Sequence, residues 1–321
     1  MIRVRVLRPA PVDVLIFDSL GLPFLKNTLP VGLDYITLDL RNRLPIVLSL
    51  KFCVGWLKLL TKLKFGVRQS YIVALIDEYK PKVVLSFADS NSVLGKYQSC
   101  RPNVLVLSIQ NALRYPDEVR DIRLVPNYFC LGESTRNLFV NGGVPSKSIV
   151  AMGSLPLGIF LSDQTIVKER NKYSLVFVSS YRVSFEEKLP HGLHNRGVSE
   201  AHKLVFLHLL RYAEEKGIEL CVIAKGKVRL EGEYFDREKS YFENLAQGRP
   251  FQFSSTVKDT YKSYQMAYGA KLLVTVDSTL GYEALSIGKK VLFGWGVNSV
   301  LGAHGESMVE NLPRQICLEN G

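Results

Sequence analysis

No Cys-x-x-Cys pair occurs in this chain, and its five cysteines (Cys53, Cys100, Cys130, Cys221, Cys317) are scattered, odd in number and mostly set in apolar runs. That spacing offers neither a zinc cradle nor a disulfide framework, and it fits a reducing cytoplasm. Gly-x-Gly-x-x-Gly and Walker-type loops are also missing, which weighs against a dehydrogenase or a kinase. The longest apolar stretch, Leu44 to Leu60, is broken by Lys51 and Lys58, so it falls short of the ~20 apolar residues that span a bilayer. The opening Met-Ile-Arg-Val-Arg-Val alternates like a strand, and no secretory leader is expected from it. Acids are absent between Arg41 and Arg68, a segment holding Arg41, Arg43, Lys51, Lys58, Lys62, Lys64 and Arg68.

What is present is ordinary in amount and uneven in placement. Hydrophobic residues make up 47% and charged residues 22% of 321 positions, so long disorder is not expected. That length exceeds a single-core chain and implies two domains. The net charge of +11 divides into +9 over residues 1–160 and +2 over residues 161–321. Basic residues interleaved with Leu, Ile, Phe and Trp suit a lipid interface better than a nucleic-acid surface, with a plain basic surface as the alternative. Lys51, Lys58 and Lys62 share one helical stripe with Gly55, while Phe52, Trp56, Leu59, Leu60 and Leu63 occupy much of the rest. Either the apolar side enters the headgroup boundary or it covers a sheet while the lysines face water.

Apolar runs alternate with helical patterns. Strands are expected at Val12–Phe17, Tyr35–Leu38, Val83–Phe87, Val104–Ser108, Tyr128–Leu131, Leu175–Ser179, Leu220–Ala224, Leu272–Val276, Val291–Phe293 and Gln315–Leu318. Helices are expected at Val67–Tyr79, Ser134–Val140, Ser199–Lys216, Thr256–Gly269 and Leu280–Ile287. Continuous rather than alternating apolar runs indicate parallel strands covered on both faces. The β-then-α order gives an α/β fold of two Rossmann-like doubly wound domains facing a cleft. The turn-rich Gly153–Gly158 and the polar Ser162–Tyr173 place the boundary near Pro156–Lys172, for domains of residues 1–158 and 159–321.

The most telling segment is Val274 to Gly294, which reads strand, turn, helix, strand. Asp277, Ser278 and Thr279 fall at the helix start, where free N–H groups suit a phosphate. Glu283 follows about one turn later, within reach of a sugar hydroxyl. A plain Asp/Ser/Thr cap is the alternative. Lys225 and Lys227 follow one predicted strand, and Ser179 and Arg182 follow another, at carboxyl ends where α/β folds bind ligands. An ordinary basic turn would also account for the lysines. His191 and His194 in the next loop read as surface polar groups. In the first half, Asp89 ends one strand, and Gln110-Asn111-Ala112-Leu113-Arg114 ends another.

The turn at Asp277–Lys290 closely resembles the C-terminal nucleotide-sugar motif of GT-B glycosyltransferases, and it is similar to the related turn of the UDP-GlcNAc 2-epimerase family. Gln110–Arg114 resembles a motif of bacterial surface-carbohydrate glycosyltransferases that build capsule and O-antigen (lipopolysaccharide) chains. Gly153-Ser154 is similar to the turn closing the last strand of a GT-B first domain. These three pieces carry the resemblance. It implies a glycosyltransferase moving a sugar from a nucleotide-sugar to a growing surface polysaccharide or lipid-linked acceptor. The alternatives are a nucleotide-sugar epimerase of the same fold and an inactive binding protein.

The resemblance further implies donor contacts from Ser154, Ser179, Arg182, Lys225, Lys227, Asp277, Ser278, Thr279 and Glu283. Asp89, by its place at a strand end, is expected to act as general base or as a charge stabiliser, with Asn111 nearby and Arg114 pairing with an acceptor or sugar carboxylate, and ordinary loop-forming Asp and Asn are the alternative. No cofactor is implied beyond a CMP- or UDP-linked donor, and no metal, since the Asp-x-Asp motif of GT-A enzymes is missing. Implied partners are a carbohydrate or glycolipid acceptor and an anionic membrane surface, without nucleic acid. The implied location is the cytoplasm, peripheral at the inner face of its membrane. The Glu-x₇-Glu of common retaining families is absent, and the chain stops soon after Cys317, where GT-B proteins add a closing helix, so a truncation is expected.

Overall fold

The structure is a computed structural model that describes residues 3–7, 9–40, 43–47, 49–62, 66–88, 91–114, 119, 127–145, 148–186, 193–225, 233–255, 261–296 and 316–318. The chain forms two compact units, Met1–Ile159 and Phe160–Gly321.

The first unit contains β1 (Arg3–Leu7), β2 (Val14–Phe17), α1 (Leu22–Thr28), β3 (Tyr35–Leu38), β4 (Arg43–Val47), α2 (Leu50–Lys62) and α3 (Val67–Tyr79). It continues through β5 (Val83–Ser86), α4 (Ser92–Cys100), β6 (Leu105–Ile109), β7 (Tyr128–Cys130), α5 (Glu133–Asn141) and β8 (Ile149–Ala151), and α6 (Leu155–Ser162) begins in the first unit and ends in the second, to which Phe160 belongs. Six strands form one sheet in the order β3-β2-β5-β6-β7-β8, and every pair is parallel. All four residues of β2 are buried, as a strand covered on both faces requires. The buried side of α3 (Ile72, Val73, Leu75, Ile76, Tyr79) packs with Leu15, Phe17 and Val84 of the sheet. β1 and β4 pair separately, and Pro45 in β4 is tolerated because a two-stranded sheet consists of edges.

The second unit contains β9 (Tyr173–Val178), α7 (Leu193–Lys216), β10 (Leu220–Ile223), α8 (Glu233–Ala246), β11 (Gln252–Ser254), α9 (Lys262–Gly269), β12 (Ala270–Thr275), α10 (Thr279–Ser286), β13 (Val291–Gly296) and β14 (Ile316–Leu318). Its sheet has the order β11-β10-β9-β12-β13-β14 and is parallel throughout. The chain winds outward from β9 to β11, then restarts on the other side of β9 with β12. The carboxyl ends of β9 and β12 therefore flank the point where the winding reverses, the crevice in which doubly wound sheets hold ligands. In the first unit the same reversal lies between β2 and β5.

Several elements depart from the sequence reading. The stretch taken as a turn-rich boundary contains α6. Ser154 accepts a hydrogen bond from the Leu157 N–H at 3.3 Å, and Pro156 sits in the first turn, where its missing N–H costs nothing. Helix α8 escaped detection because its buried stripe, Tyr234, Glu238, Phe242 and Ala246, carries a carboxylate in place of an apolar residue. Helix α2 does form. Phe52 is buried, and its ring and that of Trp56 meet Tyr71 edge-on at 5.2 and 5.3 Å. Leu59 packs on the same core. The apolar side considered for the headgroup boundary at Phe52, Trp56 and Leu59 thus covers the domain core. Among the described residues, no helix is long and apolar enough to cross a membrane.

Candidate functional site

The carboxyl edge of the second sheet gathers most of the residues singled out in that half. After β9 the chain runs Ser179-Ser180-Tyr181-Arg182, after β12 it runs Val276-Asp277-Ser278-Thr279, and Lys225 follows β10. Asp277 joins the first two loops: Ser180 Oγ donates to its Oδ1, and Arg182 Nη2 donates to its Oδ2 at 3.2 Å. The side chain of Asp277 is only 10% exposed, against 30% for Arg182, so this ion pair is better shielded than a surface one. Lys225 Nζ donates to the Ser180 carbonyl at 3.4 Å, which ties in the third loop. One polar chain thus links the ends of β10, β9 and β12.

A second layer holds these loops from beneath. The Lys225 N–H donates to Glu238 Oε1 at 2.9 Å, which gives the buried carboxylate of α8 a structural duty. Tyr234 Oη donates to the Tyr181 carbonyl at 2.8 Å. Ser179 Oγ accepts from the Tyr181 N–H at 3.1 Å and lies 3.4 Å from His202 Nε2. His202, on α7, is fully buried among the rings of Phe177, Phe185, Tyr241 and Phe242. Burial, reinforced by the Lys225 charge, lowers its pKa to about 3, so the ring is neutral at physiological pH.

The start of α10 turns out to be capped from within. Ser278 is the N-cap, its Oγ accepting from the Leu280 N–H at 3.3 Å. The Ser278 N–H itself donates to Thr275 Oγ1 at 3.3 Å, and the Gly281 N–H donates to the Ser278 carbonyl. What this turn offers an anion is therefore the hydroxyls of Ser278 and Thr279 and the helix dipole, more than open N–H groups. Gly281 serves packing: a Cβ there would lie 2.6 Å from Thr275 Cγ2 and 3.0 Å from Phe293 Cε1. Glu283 is 9% exposed, and both its oxygens accept from Tyr264 Oη of α9, at 3.1 and 3.2 Å. Tyr264 in turn stacks on the fully buried Phe160 of α6 at 5.7 Å. Burial and the nearby Asp277 push the Tyr282 hydroxyl up to about 12, which keeps it neutral.

In the first unit, Asn111 Nδ2 donates to the Phe87 carbonyl at 2.7 Å and so ties the end of β6 to the end of β5. Arg114 Nη2 donates to Asn111 Oδ1 at 3.2 Å. Gln110 is buried and braces its own loop through the Ala112 carbonyl and the Leu131 N–H. Ser154 caps α6 next to Gly153, whose φ of 90° suits only glycine. Asp89, Lys227 and His191 lie outside the described residues, as does the side chain of His194. Asp18, not singled out in the sequence, ends β2 buried with φ 74°, accepting from the Leu20 N–H. Its one visible signal is an acid closing an apolar run. Tyr264 and His202 gave no signal, since their partners lie 19 and 23 residues away. Among the described residues, no group of three or more His, Cys, Asp or Glu is placed to hold a metal ion.

Residues 146–303 match the model of a family described as "putative O-antigen biosynthesis protein". No protein of curated function matches the chain significantly. Among solved structures, it is similar to UDP-N-acetylglucosamine 2-epimerase from Rickettsia bellii, with 14% identity, 91% of this chain and 78% of that one covered, and a TM-score of 0.51. A Listeria monocytogenes protein described as "putative UDP-N-acetylglucosamine 2-epimerase" gives 12% identity, 88% and 79% coverage and a TM-score of 0.51. Identity this low speaks for the fold alone. The chain has the two-sheet parallel α/β fold of the GT-B type, and its residues 146–303 are similar to an O-antigen biosynthesis family.

Proposed function

We propose that this protein is a glycosyltransferase that takes a sugar from a nucleotide donor, CMP- or UDP-linked, to a polysaccharide or lipid-linked acceptor in surface-carbohydrate assembly. The observation that carries the donor half is the polar chain at the reversal point of the second sheet, where Arg182, Lys225, Ser278 and Thr279 converge from three strand ends. Two cations and two hydroxyls beside a helix start suit a diphosphate or a cytidylate phosphate, and they stabilise the charge that grows on the departing nucleotide as the glycosidic bond breaks. Glu283, held by Tyr264, accepts from donor hydroxyls one helical turn away. The acceptor reading assigns the first domain, with Asp89 as the base and with Arg114 and Asn111 beside it. The match of residues 146–303 to an O-antigen biosynthesis family supports the polymer class.

The test is a product assay with UDP-, CMP-, GDP- and dTDP-sugars, with and without a carbohydrate acceptor. Transfer to acceptor with release of nucleotide is the expected outcome. A free or nucleotide-bound C2 epimer formed without acceptor would replace this reading with the epimerase one, and binding without turnover would leave a binding protein.

A further inference from the structure

At the end of the second sheet opposite the donor edge, cations collect. Strands β9, β12 and β13 start there side by side. Helices α9 and α10 finish there, α9 running straight into β12 and α10 into the turn that leads to β13. This amino edge carries Arg170, Lys172, Lys271, Lys289 and Lys290, although residues 161–321 as a whole have a net charge of only +2. The single acid of residues 168–173, Glu169, is taken by Lys172 at 2.7 Å. That segment packs on the end of α9, where a Cβ on Gly269 would meet the Glu169 carbonyl at 3.0 Å. Two of the cations share one ring, that of Tyr268 in the last turn of α9. Arg170 Cζ and Lys289 Nζ each lie 5.5 Å from its centre, and Arg170 Nε donates to Tyr268 Oη at 3.0 Å. Among the described residues neither cation has a carboxylate partner. Lys289 is half-buried, and burial, then the Arg170 charge, holds its pKa below that of an ordinary lysine.

We propose that Arg170, Lys289 and Tyr268 form a binding site for the phosphoryl group of a soluble phosphate ester, separate from the donor site. Tyr268 Oη already accepts from Arg170, so its own proton is left to donate outward, and Arg170 keeps both Nη groups for a ligand. A guanidinium, an ammonium and a phenol O–H thus offer donors for three oxygens and two positive charges for a dianion. A carboxylate would supply only two oxygens and one charge. The C-terminal dipoles of α9 and α10 offset part of the repulsion between the two cations, and a bound phosphoryl group removes the rest. The site lies at the amino edge of the sheet and the polar chain of Arg182, Asp277 and Lys225 at its carboxyl edge, so it stands independently of the proposed transfer reaction.

Isothermal titration of the full chain with inorganic phosphate and pyrophosphate, against acetate, tests this. Both phosphates should bind, acetate about tenfold more weakly, and affinity should fall as salt shortens the screening length. The donor edge holds cations of its own, so the titration is repeated in the Arg182→Gln, Lys225→Ala background, where the site at Tyr268 should remain. In that background Arg170→Gln and Lys289→Gln should each lower phosphate affinity about tenfold, the scale of one charge-assisted hydrogen bond, and Tyr268→Phe about fivefold. Circular dichroism checks that each variant is folded, and nucleotide-sugar titration of Arg170→Gln alone should match wild type, which keeps this site separate from the donor site. Absence of phosphate binding in that background, affinity indifferent to Arg170→Gln and Lys289→Gln, acetate bound as well as phosphate, or retention on phosphatidic acid vesicles without binding of soluble phosphate would overturn the assignment.

Discussion

Acidification should weaken the second domain through one buried ring. His202 has an ordinary pKa of 6.5 and a native value of about 3, set first by burial and then by Lys225. Between those values the unfolded chain binds a proton that the native state refuses, so stability is intact above pH 6.5 and falls as the pH drops towards 3. At pH 4 the difference spans about 2.5 pH units, and at 1.36 kcal/mol per unit the loss is about 3 kcal/mol. His202→Phe keeps an apolar ring in the box formed by Phe177, Phe185, Tyr241 and Phe242 and removes the titration. It also gives up the 3.4 Å contact to Ser179, which costs about 1 kcal/mol at neutral pH. Urea unfolding at pH 7 and pH 4 measures both effects. Hydrogen exchange of the β9 and β10 amides follows the second domain separately from the first. Wild type should lose about 3 kcal/mol more than His202→Phe between the two pH values. Parallel losses would refute the assignment of the acid dependence to His202.

Three further outcomes are expected. Gly281→Ala should lower stability by about 1–3 kcal/mol in thermal unfolding, because its Cβ meets Thr275 and Phe293 at 2.6 and 3.0 Å. Lys225→Ala should weaken donor affinity more at low salt than at high salt, and calorimetry at two ionic strengths would show a salt-independent change if Lys225 plays no part. Asp89→Asn should leave donor affinity intact and cut turnover by roughly 10²–10⁴, and near-normal transfer would shift the base to another residue, such as Asp18, buried at the carboxyl end of β2.

The sequence made the sheets legible because both are parallel and buried, and runs such as Val14–Phe17 and Leu220–Ile223 are apolar at every position. Helix α3 was equally plain, its bounds matching the expected Val67–Tyr79. Legibility ended where a polar residue occupied a core position. Glu238 is buried in the stripe of α8 to hold the Lys225 N–H, and that exchange hides the helix from an apolar pattern. The loops at the donor edge were legible as polar residues after strands, but their pairing was not. Asp277 and Arg182 are 95 residues apart and meet only because β12 returns to the side of β9. The cap at Ser278 shows the same limit: a turn written for phosphate and a turn written for capping use the same residues, and only the 3.3 Å contact to Leu280 N shows the cap in place.

A nucleotide-sugar seated at the carboxyl edge of the second sheet is measurable as binding. Isothermal titration of the wild-type chain with UDP-, CMP-, GDP- and dTDP-sugars tests it most directly, paired with Glu283→Ala, whose carboxylate is bound by Tyr264 and lies one turn beyond Ser278. Saturable binding of at least one donor is expected, with a loss of about 1–3 kcal/mol in the folded variant. Absence of binding to every donor, or an affinity indifferent to the loss of Glu283, would contradict it.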